Sequence, residues 1–308
     1  MKKLIYFLTI PVIFALLFVG CKKKEDVPPP VATVVPTYTS IADFFNKNQV
    51  ASQTFTLNAT TGATITGNQG TKITFPSNSF VTSSNQTVTG NVNIELKEIY
   101  KKSDMILSNK PTMSFGNLLK SGGEYYIKVT QNNQELKLAQ GSMYSAQMPT
   151  DSLDYNMQVF TGTVNDTTGN TNWVPADSST SYVNYQTTPM SYILACDSLH
   201  WINCDYFSNV SPMTTVTISI PNNPSPQNTV VYLAFKTKAI AQLYNYNSNY
   251  LINNMPENYT ATIVAFTVSN DKIYSLFKPI TIATNMQVNV TLVETTDAEF
   301  KTQLIALN

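Results

Sequence analysis

From Gln53 onward the chain is a succession of short runs in which apolar and polar residues alternate with a period of two. Thr71, Ile73 and Phe75 alternate with Lys72 and Thr74, Val92, Ile94 and Leu96 with Asn93, Glu95 and Lys97, and Tyr125, Ile127 and Val129 with Tyr126, Lys128 and Thr130. Successive side chains of a strand point to opposite faces, so such runs bury one face and wet the other. The pattern predicts antiparallel sheet. It returns at Val216, Ile218 and Ile220 and at Met286, Val288, Val290 and Leu292. Val230 to Phe235 and Ile263 to Phe266 are apolar on both faces and predict central strands.

Helical signals are confined to the two ends. Ser40 with Asp43 three residues on predicts an N-capped helix over residues 40–46. Thr296 with Glu299 forms a capping box ahead of Phe300, Leu304 and Ile305, which predicts a C-terminal helix packed on the last sheet. The expected fold is all-β: two antiparallel β-sandwich domains with a short N-terminal helix and a C-terminal helix. Residues 39–160 are assigned to the first sandwich and 191–308 to the second. Residues 161–190 are read as a linker or inter-domain strands, because turn-forming residues cluster from Asn165 to Asn170.

Composition narrows the chemistry. Charged residues make up 12% of the chain, about half the usual share, and 97 Ser, Thr and Asn residues supply the missing polarity. All 19 basic residues are Lys, so the planar bidentate clamp that Arg offers to phosphate is absent. With a formal net charge of zero there is no basic field to hold nucleic acid. Neither nucleic acid, nucleotide nor cofactor is expected as a partner.

Residues 1–20 read as a secretory signal, with Lys2 and Lys3 ahead of the apolar run Leu4 to Val19 and the small Gly20 at the cut. Leu17-Phe18-Val19-Gly20-Cys21 resembles a bacterial lipobox, departing from it at Phe18. The resemblance implies cleavage before Cys21, diacylation of its thiol and anchoring in membrane lipid, on the cell surface or periplasmic face of an outer membrane. Two acyl chains suffice for stable attachment. The alternative, an uncleaved span, leaves a Cys directly after Gly20 without a reason. Residues 21–38 continue as a Lys- and Pro-rich tether. Its Lys22-to-Asp26 run resembles the export signal of surface lipoproteins in the Bacteroidetes group, although a solvated linker has the same composition.

Candidate reactive groups are few. His200 is the only histidine, and no G-x-S-x-G elbow, C-x-x-C or H-x-x-x-H spacing occurs, so no catalytic residue or metal ligand is assigned. Cys196 and Cys204, eight residues apart, are a candidate hairpin disulfide, with two buried free thiols as the alternative. Tyr244, Tyr246 and Tyr250, set among asparagines, are candidates for glycan stacking, against the plainer reading of edge and loop tyrosines. Ser152, Thr167 and Ser198 each follow an Asp in a tripeptide that resembles the O-glycosylation sequon of the Bacteroidetes group. Paired carboxylates for glycoside hydrolysis need only two acids at a suitable separation. Against that, acids such as Glu95 and Glu98 read as solvated positions on alternating strands.

The longest family pattern runs from Gly62 to Leu138. Gly62-Ala63-Thr64-Ile65, Gly70 to Phe80, and Gly90-Asn91-Val92-Asn93-Ile94-Glu95 resemble the β-sandwich module shared by ankyrins and netrin receptors. The continuation through Leu118 to Ile127 is similar to lipoproteins of the Bacteroidetes group, as is Trp201 to Phe207, which in those proteins opens a C-terminal domain. The resemblance implies an interaction module and carries over no catalytic residue. The expected function is therefore a non-catalytic binding or structural module that meets a glycan or another envelope protein. A carbohydrate-active enzyme and a purely structural envelope component are the alternatives.

Overall fold

The computed structural model describes residues 36–164, 171–208 and 210–308. The signal, Cys21, nearly all of the tether and Thr167 lie outside them.

The alternating runs become strands with one buried face. In Asn91–Ile99, Val92, Ile94 and Leu96 are buried while Asn91 and Asn93 are exposed. This strand belongs to a sheet ordered Gln53–Asn58, Asn91–Ile99, Asn117–Gln131, His200–Phe207, Gln158–Val164 and Thr171–Pro175, with two short strands paired at its flank. A second sheet, ordered Tyr182–Thr187, Met190–Cys196, Tyr144–Pro149, Lys72–Phe75 and Ala63–Thr66, packs against the first. Every pairing in both sheets is antiparallel. Phe75, Leu96, Tyr125, Ile127, Tyr144, Leu194 and Ile202 fill the layer between them.

The second core is enclosed by one sheet, eight-stranded among the described residues, that curls on itself. Its order is Met286–Asn289, Met213–Ser219, Asn249–Pro256, Ile240–Tyr246, Thr229–Phe235, Thr260–Ser269, Lys272–Thr281 and Val293–Thr295. One pairing departs from the antiparallel expectation, since Met213–Ser219 runs parallel to Met286–Asn289. The two runs apolar on both faces are central strands, as the sequence predicts. Val231, Leu233, Ile263 and Ala265 point into the curl, while Tyr232, Val264 and Phe266 lie in a separate apolar layer with residues of the helices.

That outer layer rests on helices α1 (Ile41–Asn48), α2 (Lys102–Leu107) and α3 (Asp297–Ile305). Ser40 Oγ accepts from the Asp43 backbone N–H at 3.1 Å, as a cap should. Thr296 and Glu299 close a reciprocal capping box at 3.2 and 3.1 Å. Phe44 of α1, Phe300 of α3 and Phe266 of the sheet pack as an aromatic trio, with ring centroids 4.7–5.7 Å apart. Helix α2 has no side-chain cap, which is why the sequence gives it no start signal.

The all-β, sandwich-like class with helices near both ends holds, but the expected boundary at 161–190 does not. Gln158–Val164 pairs with Thr171–Pro175 in register from Phe160↔Pro175 to Val164↔Thr171, so the turn-forming cluster joins two strands of one sheet and is not a linker. Trp201–Phe207 is likewise a strand of the first sandwich and opens no second domain. The chain passes from the sandwich to the curled sheet between Phe207 and Met213, although Met113 and Leu118 also join the second core, and residues 36–308 form one compact unit.

Candidate functional site

The structure separates several residues that the sequence places together. Cys196 and Cys204 are free, buried thiols and form no disulfide. The strand Met190–Cys196 pairs only within the second sheet and His200–Phe207 only within the first, so the chain crosses between layers where a bridged hairpin was expected. Burial pushes the Cys196 thiol up to about 12 and Cys204 well above the ordinary thiol value, so both are inert.

Tyr244 and Tyr246 are exposed, but Tyr250 is buried, with its hydroxyl donating to Pro226 O and accepting from Asn223 Nδ2 at 3.3 and 3.2 Å. Tyr250 pairs with Asn245, which puts its ring on the face opposite Tyr244 and Tyr246, so the three make no common platform. Ser152 is exposed, and Ser198 Oγ donates to Asp197 at 2.8 Å. His200 faces Glu135 at 2.7 Å and stacks on Tyr126. Glu98 is not solvated. It is fully buried and accepts from Gln53 Nε2 and from the Gln69 and Thr71 backbone N–H groups at 2.8–3.0 Å, because residues 67–71 fold over it.

A cleft of 820 Å³ brings together rings and amides that are remote in the chain. Tyr155 and Asn156 enter just before one strand of the first sheet and Gln158 begins it, while Tyr206 and Phe207 come from another. Thr237 and Tyr259 reach it from turns of the curled sheet. Tyr155 is 68% exposed yet held by Tyr185, ring centroids 4.9 Å apart. Lys120, the cleft's one cation, lies 3.1 Å from Asp154 and 5.4 Å from the Tyr206 ring centroid, so its charge is already matched. The result is a neutral wall of aromatic faces, amides and hydroxyls. The adjacent Tyr155-Asn156 pair was a readable signal; Tyr206 and Tyr259 reach it only through the fold.

Beneath this region lies a buried polar seam where the first sheet meets the curled one. Ser121↔Asp205 and Glu124↔Asn203 are paired, with two residues between them on one strand and one on the other. The extra residue is a bulge at Gly122-Gly123, and bulges re-aim side chains. Here it turns Ser121 to the same face as Glu124, away from Tyr125 and the dry core. Gly123 has φ of +130°, and a Cβ there would collide with the Tyr100 ring.

Glu124, Asn203 and Asp205 are fully buried. Asn203 Nδ2 donates to Asp205 at 2.7 Å, whereas both carboxylate oxygens of Glu124 and one of Asp205 have no hydrogen-bond partner among the described residues. Burial pushes both carboxyls well above the usual range, and for Glu124 the nearby Asp205 adds to the effect. Lys110 faces Glu124 and lies 4.7 Å from the Trp201 ring centroid; Lys238 faces Asp205. Neither acid lines any of the three cavities described for the molecule. Among the described residues no three His, Cys, Asp or Glu side chains are grouped to hold a metal ion.

No protein-family model, curated protein or solved structure matches this chain, so the likeness of residues 62–138 to the ankyrin and netrin-receptor module rests on its motifs alone.

Proposed function

We propose that this is a lipid-anchored envelope protein whose folded body binds a neutral glycan, without turning it over, in the cleft between Tyr155, Tyr206 and Tyr259. The observation that carries the reading is the chemistry of that cleft: the exposed Tyr155 and Tyr259 and the half-buried Tyr206 beside Asn156 and Gln158, with its one cation neutralised by Asp154. Sugar rings present apolar C–H faces and a belt of hydroxyls, which suits amphipathic tyrosines flanked by amide donors and acceptors. A volume of 820 Å³ lies within the range of about 300–1,000 Å³ usual for small-molecule sites. The anchor rests on the Gly20-Cys21 junction and the tether behind it.

The enzyme reading has less support. Glu124 and Asp205 are an adjacent acid pair, but they are sealed from solvent, with no room for a sugar between them.

A glycan array probed with the full chain in detergent tests the binding reading. Neutral oligosaccharides are expected to bind, and Tyr155→Ala and Tyr206→Ala to weaken the hits about tenfold each, or roughly 1.4 kcal/mol. No neutral hit would leave the structural-component reading standing. For the anchor, Cys21→Ala is expected to abolish fatty-acid labelling and membrane fractionation, and unchanged labelling would refute it.

A further inference from the structure

A second cavity, of 510 Å³, opens on the other side of the turn at Lys236-Thr237-Lys238. Lys101, Lys102, Lys236 and Lys238 line it, four of the fourteen lysines that follow residue 38, and Asp151 is the one acid among its lining residues. Four lysine side chains therefore share the lining with one acidic side chain. In a chain this poor in charge, so local an excess calls for a partner.

Two of the lysines are held in place. Lys102 is buried and donates to Phe235 O at 2.9 Å, leaving two further N–H donors. Lys238 Nζ sits 6.0 Å from the Tyr100 ring centroid, and burial depresses the pKa of both ammonium groups. Asp205 lies behind Lys238, but its own burial favours the neutral acid, so it compensates the lysine poorly. Asp151, in the lining, also faces Lys238, so the cavity holds an excess of partly desolvated cations over nearby acids, and a bound anion stabilises such an excess.

We propose that this cavity binds a small oxyanion group, a sulfate, phosphate or carboxylate, at a site separate from the neutral-glycan cleft. Lysine ammoniums act as point charges and do not demand one planar geometry, so the site selects charge and size more than shape. The oxyanion can arrive as a free inorganic ion or as the acidic group of a sugar.

Isothermal titration of the full chain in detergent at low ionic strength, with sodium sulfate, sodium phosphate and sodium glucuronate as probes, tests this. Saturable binding of at least one probe with a Kd below about 1 mM is expected. Tight sulfate or phosphate with weak glucuronate identifies a free ion; the reverse order identifies an acidic sugar. Lys238→Gln and Lys236→Gln should each weaken binding about tenfold. Lys137→Gln, outside the cavity, and Tyr155→Ala, in the other cleft, should leave it unchanged. Lys236 is exposed, so its variant keeps the test readable if Lys238→Gln unfolds. No saturable binding of any probe up to about 10 mM, or a loss in Lys137→Gln equal to that in Lys236→Gln, would overturn the proposal. Neither failure touches the neutral-glycan reading, which is measured with uncharged oligosaccharides.

Discussion

The turn from Phe235 to Ala239 separates two cavities of opposite character. On one side Thr237 joins tyrosines, amides and a lysine already paired with Asp154. On the other, Lys236 and Lys238 join Lys101 and Lys102 around a single lining aspartate. Both cavities straddle the join between the sandwich and the curled sheet, so one scaffold positions both. What differs is whether charge is matched within the protein, and a ligand's own charge must supply what the wall lacks. The comparison therefore assigns a neutral ligand to one side and an anion to the other.

The most drastic way to break the comparison is to loosen the scaffold. Phe266→Ala, removing a fully buried ring that packs against α1 and α3, should cost about 4 kcal/mol in urea unfolding and degrade both sites together. Gly123→Ala should cost roughly 3 kcal/mol, since the added methyl meets the Tyr100 ring in a backbone conformation that favours glycine. Tyr100 lines the lysine cavity, so anion binding should suffer more than glycan binding in this variant.

A gentler change addresses the acids behind the lysines. Glu124 and Asp205 have raised folded-state pKa values, so the native state holds protons that the unfolded chain releases. Their contribution is full below the ordinary carboxylate range near pH 4 and is lost as pH rises toward the folded values. The double variant Glu124→Gln, Asp205→Asn should remove that part of the fall in stability between roughly pH 5 and 8 and be at least as stable as the parent at the upper end. If it is instead markedly less stable there, the two carboxyls are ionised and paired with Lys110 and Lys238. Thr296→Ala, away from both cavities, should cost about 1 kcal/mol through the lost cap. Reductant should change the melting temperature not at all, because Cys196 and Cys204 are free.

Much of this body was legible as alternation. The period of two placed Val92, Ile94 and Leu96 in a core, and the runs at Val230 and Ile263 in central strands, because burial on one face or two is written directly into a strand's sequence. Alternation is also what concealed the rest. Counting back from Tyr125 by twos puts Ser121 in the dry core; the Gly122-Gly123 bulge reverses it. The same counting aligns Tyr244, Tyr246 and Tyr250, but a turn intervenes and pairing Tyr250 with Asn245 flips its ring inward. Turn-forming residues look alike in a linker and between paired strands, which misplaced the domain boundary. The four lysines of the anion cavity come from the start of α2 and from a turn about 135 residues away, a distance over which no local pattern speaks.

Parallel titrations of the parent chain, Tyr155→Ala and Lys236→Gln test the division between the cavities most directly, each with a neutral oligosaccharide taken from the array and with whichever oxyanion binds the parent more tightly. A double dissociation is expected: Tyr155→Ala loses about tenfold for the oligosaccharide and nothing for the anion, and Lys236→Gln the reverse. Equal losses for both ligands in either variant, or none in both, would contradict it.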